Sequence, residues 1–374
     1  MKAVLFANTD WYLFNFRMSI AQALQAGGVD VVLLSPPGPY VAQLQAAGFR
    51  WIPLKMSGKG MNPFEEVKTI FRIKRVYQDE KPDLVHHFTI KCVLYGSIAA
   101  RWGGIRAIVN AIPGLGYVFN VMGWKGALLR LIIRPMYRFS LRNTQVIFQN
   151  QEDLETFIHL LLIKPEATHL IPGSGVNLKK FSPHPEPAGK PVVMFAARML
   201  WDKGVGDFVD AVRILKLAGV QARFILVGDT YADNPSAVPP QQLTAWSQEG
   251  IVEWLGWRDD METILPQVSI VCLPTYYHEG TPRILIEACA SGRPIVSTNI
   301  SGCREIVQEG VNGLMVPPRS PEMLANVLSR LIDNPQERAR MGHEGRKIAE
   351  DRFSDDVIAA KTIEVYKVYG FLQG

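Results

Sequence analysis

The stretch Val268-Ser-Ile-Val-Cys-Leu273-Pro-Thr-Tyr-Tyr-His278-Glu279-Gly280-Thr281-Pro282-Arg-Ile-Leu-Ile-Glu287-Ala288 runs from an apolar segment interrupted only by Ser269, through a polar turn, into an amphipathic one. A short continuous apolar run reads as a strand buried on both faces, which places it inside a parallel sheet. Thr281 suits an N-cap and Pro282 a first helical position, so a helix is expected over 282–291. The backbone N–H groups of Gly280 and Thr281 then face outward from a positive helix end, where phosphate binds without a dedicated lysine. Seven residues separate Glu279 from Glu287. Glu287 thus falls roughly 7 to 8 Å down the helix, about the distance from a diphosphate to the ribose hydroxyls beyond it. Taken alone, the two acids would read as a loop anion and a solvated helix face.

The same alternation extends in both directions. Strands are expected at 2–7, 29–34, 50–54, 83–88 and 106–111, with helices at 15–26, 40–47, 64–79 and 91–102 between them. The rhythm restarts with strands at 191–197, 222–227, 250–254, 268–273 and 294–297 and helices at 205–217, 240–248, 259–265 and 282–291. Such alternation gives doubly wound α/β units. Pro172-Gly-Ser-Gly175 and the proline-rich 183–189 form the linker, so the expected domains are 1–172 and 173–355, with 356–374 returning to the first. Ligands of open parallel sheets bind beyond the carboxyl ends of the strands, so Arg198, Gly228, Gly256 and Glu279 should border one crevice.

With 374 residues, 48% of them hydrophobic, the chain can fill two ordinary cores. Four cysteines without Cys-x-x-Cys spacing read as buried reduced thiols. The N-terminus lacks the order of a signal peptide, and no apolar run approaches the ~18 residues of a membrane span, so a cytoplasmic protein is expected. Charge is uneven. Residues 1–186 hold 21 Lys+Arg against 12 Asp+Glu, whereas the remainder holds 19 against 23. Within the basic half, 116–143 carries Lys125, Arg130, Arg134, Arg138 and Arg142, no acid, and many large apolar residues. Arginines at every fourth position form one stripe. This suits either a helix resting on an anionic membrane or a core helix with a solvated basic edge. Nothing resembles a nucleic-acid-binding module, and no nucleic-acid partner is expected.

Further motifs accompany the carboxylate pair. Phe195-Ala-Ala-Arg198-Met-Leu-Trp-Asp-Lys203-Gly204 places two cations after a strand, and Ile171-Pro-Gly-Ser-Gly-Val-Asn177, Leu226-Val-Gly228, Leu255-Gly-Trp-Arg-Asp259, Gly292-Arg-Pro-Ile295 and Gly310-Val-Asn-Gly-Leu314 follow in order. Together they resemble the donor domain of glycosyltransferase family 4, retaining enzymes of GT-B architecture: two Rossmann-like domains facing across a cleft, with the C-terminal helix crossing back to the N-terminal domain. Asn15-Phe-Arg17, Glu279-Gly-Thr-Pro-Arg283 and Gly302-Cys-Arg-Glu305 resemble the subset that builds bacterial lipid-linked oligosaccharides.

The resemblance implies a nucleotide-sugar donor, a UDP-sugar carrying a hexose or N-acetylhexosamine, and a polyprenyl-diphosphate-linked glycan as acceptor. A GDP- or ADP-sugar, or a nucleotide-binding protein without activity, stand as alternatives. Arg198 and Lys203 would meet the diphosphate, Glu287 the ribose and Glu279 the donor sugar, with Gly280 and Thr281 on the phosphate. Gly256, Trp257 and Arg258 fall in the base-reading loop. No Asp-x-Asp occurs, so neither a metal nor another cofactor is expected. The enzyme would work peripherally, on the inner face of the cell membrane. One departure stands out: Asn110-Ala-Ile-Pro113-Gly114-Leu-Gly-Tyr117 has Pro113 where many relatives carry a histidine facing the donor sugar. Asn110 and the Gly114 backbone are then expected to supply hydrogen bonds. Of His86 and His87, only one can face the crevice, and His86 matches a histidine common in relatives. Arg17 reads as a phosphate contact or as a structural arginine at a helix start.

Overall fold

The computed structural model describes residues 1–56, 62–114, 123–231, 234–277 and 280–372, with the side chains of 123–129 and 132 outside that set. Its contacts divide the chain into one unit of Met1–Gly175 with Asp355–Gly374 and a second of Val176–Ser354.

The first unit holds a seven-stranded sheet in the order β3-β2-β1-β4-β5-β6-β7. Its strands are β1 (Lys2–Phe6), β2 (Asp30–Ser35), β3 (Arg50–Pro53), β4 (Leu84–Phe88), β5 (Ala107–Ile112), β6 (Gln145–Phe148) and β7 (Thr168–Leu170). Every pairing is parallel. The sheet is buried on both faces, which accounts for the apolar runs 3–6 of β1 and 31–34 of β2 and leaves β4 buried along its whole length. One face packs helices Met18–Ala26 and Asp355–Lys367 through Ile20, Leu24, Ile358 and Tyr366. The other packs helices Pro63–Glu80, Ile90–Trp102, Gly123–Leu141 and Gln151–His159.

The second unit has a six-stranded parallel sheet in the order β10-β9-β8-β11-β12-β13. It comprises β8 (Val192–Ala196), β9 (Arg223–Val227), β10 (Glu253–Trp254), β11 (Ile270–Leu273), β12 (Ile295–Thr298) and β13 (Gly313–Val316). The strand order reverses between β8 and β11, the position beyond whose carboxyl ends open parallel sheets generally place their ligands.

The elements differ from the expected ones in four places. The helix expected over 15–26 is two helices, Asp10–Phe16 and Met18–Ala26. Thr9 caps the first by accepting from Tyr12 N, and Arg17 breaks the run at φ −129° and ψ 1°. The helix expected over 282–291 spans Arg283–Ala290, because Pro282 keeps an extended ψ of 118° and itself occupies the cap position that Thr281 was expected to fill. β10 shrinks to two residues, since the chain swings away at Gly256 with φ +68°. Strands β6, β7 and β13 extend the sheets beyond the strands anticipated.

The two histidines of β4 face opposite sides. His87 enters the helix-covered core, where its Nδ1 lies 2.8 Å from Asn110 Oδ1 and its Nε2 lies 2.9 Å from the Tyr77 hydroxyl. Thr144 donates its hydroxyl proton to Leu141 O and therefore accepts from Asn110 Nδ2 at 3.1 Å. Asn110 Oδ1 is then the acceptor, shared by Ser97 Oγ and His87 Nδ1, so Nδ1 carries the imidazole proton and Tyr77 donates to Nε2. Asn110 was expected to offer bonds to a ligand. Instead it is fully buried, with both ends of its amide engaged in this network. His86 points to the opposite face, under the returning helix, where Nδ1 lies 2.7 Å from the Tyr366 hydroxyl. At 1% exposure it is a core residue rather than one at an open strand end.

Burial pushes the His87 imidazole down to about 4, against an ordinary value of 6.5. The unfolded chain therefore binds a proton that the folded chain refuses. This contribution to stability is complete above pH ~6.5 and is lost as pH falls toward 4, in total about 3 kcal/mol. Urea unfolding from neutral pH down to pH ~4 should show a shallower loss of stability in His87→Gln than in the wild type. Parallel pH slopes for the two proteins would mean that His87 titrates freely.

Candidate functional site

Four loops at the carboxyl edge of the second sheet are tied side to side by their backbones. After β8 the chain makes a single 3₁₀ turn, Trp201–Lys203, and leaves it through Gly204 at φ +79°. A Cβ at Gly204 would stand 2.0 Å from Pro274 O, so only glycine allows this loop to press on the one after β11. Asp202 O accepts from Tyr276 N at 3.0 Å and from Thr275 Oγ1 at 3.2 Å. Thr298, at the end of β12, donates to Thr275 O. On the other side, Gly228 at φ +134° leaves no room for a side chain beside Ala197 O, and Gly228 N donates to Gly256 O at 2.8 Å. The Trp254 indole donates to Gly228 O at 2.8 Å.

The expected site residues stand on this framework. Arg198 is exposed, with its guanidinium 5.7 Å from the Tyr231 ring. Lys203 is 5% exposed, and its ammonium lies 5.0 Å from the Tyr277 ring. Gly280 is buried and Thr281 half-buried ahead of helix Arg283–Ala290. Glu279 and His278 lie outside the described residues. Glu287 is buried on that helix, one turn beyond Arg283, whose Nε donates to Glu287 Oε1 at 2.7 Å. Burial pushes the Glu287 carboxyl up, while Arg283 and then Lys180 hold it down.

In the loop after β10, Trp257 is exposed. Arg258 clasps Asp260 with both arms, Nε to Oδ1 at 2.8 Å and Nη2 to Oδ2 at 2.6 Å, and this holds the Asp260 carboxyl well below its usual range. Arg258, expected in the base-reading loop, thus commits its Nε and one Nη2 donor to shaping its own loop and keeps its remaining donors.

In the first unit, Arg17 is 4% exposed. It donates from Nη2 to the Tyr12 hydroxyl at 2.8 Å, and its guanidinium lies 4.4 Å from the Phe88 ring. Its Nε and His86 Nε2 are buried without a hydrogen-bond partner among the described residues. Pro113 and Gly114 follow β5 half-buried, and Gly116 and Tyr117 lie outside the described residues. Of the basic stripe, Arg130 is half-buried and Arg134 and Arg138 are exposed, while the side chain of Lys125 lies outside the described set.

The sequence reading missed the residues that build the framework: Thr275, Tyr277, Thr298 and the Glu287 partner Arg283. Tyr276-Tyr277 directly before His278-Glu279 was the available signal, because aromatic rings beside a cation-bearing loop can wall the cations.

The family model for glycosyl transferases group 1 matches residues 190–334, and that for glycosyl transferase 4-like proteins matches residues 2–151. The chain belongs to glycosyltransferase family 4. This glycosyltransferase is 29% identical over 370 residues, 95% of each chain, to the N,N'-diacetylbacillosaminyl-diphospho-undecaprenol alpha-1,3-N-acetylgalactosaminyltransferase of Campylobacter jejuni. It is 25% identical over 290 residues to the UDP-Gal:alpha-D-GlcNAc-diphosphoundecaprenol alpha-1,3-galactosyltransferase of Escherichia coli, covering 74% of this chain and 73% of that one. The crystal structure of a glycosyltransferase from Rickettsia africae superimposes with a TM-score of 0.81 at 18% identity, covering 99% of this chain and 98% of that one. The fold of this family-4 enzyme is therefore GT-B.

The glycine contact yields a stability prediction. Gly250 also has a positive φ, +69°, but open space around its Cβ direction. Gly250→Ala should cost about 1 kcal/mol from backbone strain alone. Gly204→Ala should cost about 3 kcal/mol, because it also drives a methyl into Pro274 O. Equal losses in urea unfolding would remove the close approach from the account.

Proposed function

We propose that this glycosyltransferase is a retaining enzyme that moves a hexose or N-acetylhexosamine from a UDP-sugar onto a hydroxyl of a polyprenyl-diphosphate-linked glycan. The acceptor class is supported by the names of the Campylobacter and Escherichia relatives, both of which carry a diphospho-undecaprenol acceptor, and the donor by the UDP-Gal in the second. The observation that carries the reading is the joining of two loops. Asp202, beside Lys203, is bonded to Thr275 and Tyr276, so the cationic loop and the loop leading to Gly280 are held together.

When the anomeric carbon–oxygen bond breaks, negative charge grows on the leaving diphosphate. Arg198, Lys203 and the Gly280–Thr281 backbone are the groups proposed to meet it. Lys203 acts from a buried position beside the Tyr277 ring, where a fixed charge counts for more than it does in water. No metal is needed in this scheme. Glu279 is assigned to the donor sugar hydroxyls and Glu287, aimed by Arg283, to the ribose. The backbone of Gly256 and Trp257 is assigned to the base.

As the leaving bond opens, the acceptor oxygen bonds to the anomeric carbon from the same face, and its proton passes to the departing phosphate oxygen. That path uses no protein base, which accords with Pro113 in place of a histidine. Among the described residues no helix is long and apolar enough to cross a membrane. The stripe of Arg130, Arg134 and Arg138, with Lys125, is proposed to hold the enzyme on the anionic inner face of the cell membrane, in the assembly of bacterial surface polysaccharide or glycoprotein glycan.

A panel of UDP-, GDP- and ADP-sugars, with a polyprenyl-diphosphate glycan as acceptor, tests the reading. Transfer should occur from a UDP-sugar, persist in EDTA and keep the donor's anomeric configuration. Lys203→Ala and Glu279→Ala should each lower kcat by about 10²-fold or more. An inverted product, or full turnover in either variant, contradicts the assignment.

A further inference from the structure

We infer that the helix-covered face of the first unit inserts an aromatic ridge into the lipid–water interface, so that apolar anchoring accompanies the electrostatic attraction of the arginine stripe. This rests on the membrane reading above and adds a second, salt-resistant element that begins on neighbouring helices and runs onto the helix of the stripe.

The ridge begins on helix Pro63–Glu80. Ile70, Ile73 and Tyr77 are buried in the core, whereas Phe64, Val67 and Phe71 lie on an exposed stripe at helical spacing, with Phe64 79% exposed. The Phe71 ring centroid is 5.8 Å from that of Trp102, itself exposed at the end of helix Ile90–Trp102. The neighbouring Arg101 carries the surface onward. Its guanidinium lies 5.3 Å from the exposed Phe139 ring, and it donates to the Phe139, Ser140 and Arg142 carbonyls that close helix Gly123–Leu141. Two turns back along that helix, Leu131 is 71% exposed. Apolar side chains of this size gathered on one face mark a surface that is covered in use.

The surrounding charge identifies what covers it. From residue 84 to residue 151 there is no Asp or Glu, and the eight charged residues are all Lys or Arg, so this part of the face repels a basic partner and attracts an anionic one. The acids near the ridge are neutralised locally: Glu65 pairs with Lys68 at 2.8 Å and with Arg72 at 3.5 Å, and Glu66 pairs with Lys91 at 2.7 Å. Phenylalanine and tryptophan at the level of arginine headgroup contacts is the composition of a lipid-interface surface.

The test is sedimentation of the full-length enzyme with vesicles of phosphatidylethanolamine and phosphatidylglycerol, at low and at raised salt. The wild type should retain part of its binding at raised salt. The triple variant Phe64→Ser, Phe71→Ser, Trp102→Ser should partition about tenfold or more weakly and lose what remains when salt is raised. Trp102→Phe, which preserves the ridge, should bind normally but lose part of the tryptophan quenching by brominated lipids. If the triple variant binds like the wild type, or Trp102→Phe leaves the quenching unchanged, the ridge is overturned and the arginine reading stands. If the wild type ignores anionic vesicles altogether, both fall. If the wild type is a dimer that the triple variant converts to a monomer, the face is a protein interface and the inference is wrong.

Discussion

The organisation of the loops at the carboxyl edge of the second sheet depends on the close approach of Gly204 to the backbone of Pro274. The strands that launch these two loops, β8 and β11, are neighbours at the point where the sheet order reverses, and loops leaving such a point tend to diverge. A residue without a side chain, held at a positive φ, brings them back together, and Asp202 O then collects donors from Thr275 and Tyr276. The result is a rigid backbone seam from which Lys203 projects beside Tyr277, with the start of helix Arg283–Ala290 a few residues along the same loop.

The first unit uses its polar residues differently. His86, His87 and Asn110, three groups able to serve in catalysis, are spent on holding the fold. The imidazole of His87 joins helix Pro63–Glu80 to β5 through Tyr77 and Asn110. His86 receives Tyr366 from the helix that closes the chain, so the last element is fastened to a central strand by a bond between residues 280 positions apart. A hydrogen bond in a site this dry is costly to lose, which suits it to fixing where a terminal helix docks.

Much of this was legible in the sequence. The apolar runs of β1, β8 and β11 and the repeated strand–helix rhythm specify two parallel-sheet units, because a strand buried on both faces leaves no alternation to confuse it with a surface strand. The family motifs at Arg198, Lys203, Glu279 and Glu287 were equally plain. Side-chain commitment was less so. Asn110 looks available in a sequence, yet it is consumed by Ser97, Thr144 and His87, and Arg258 commits two of its donors to Asp260 two residues away. Those partners come from tertiary packing, or from a loop conformation that a strand–turn pattern does not specify. The break at Arg17 was hidden for a similar reason, since no proline or glycine marks it and the chain bends where the arginine turns inward over Phe88.

Hydrogen exchange measured with and without UDP tests most directly the claim that the seam of the second unit is a nucleotide site. UDP should slow exchange at the backbone amides of 198–204, 228–229, 255–258 and 274–287 and leave the buried strands of the first unit unchanged. Protection confined to other segments, or none at UDP concentrations that saturate transfer, would contradict the account.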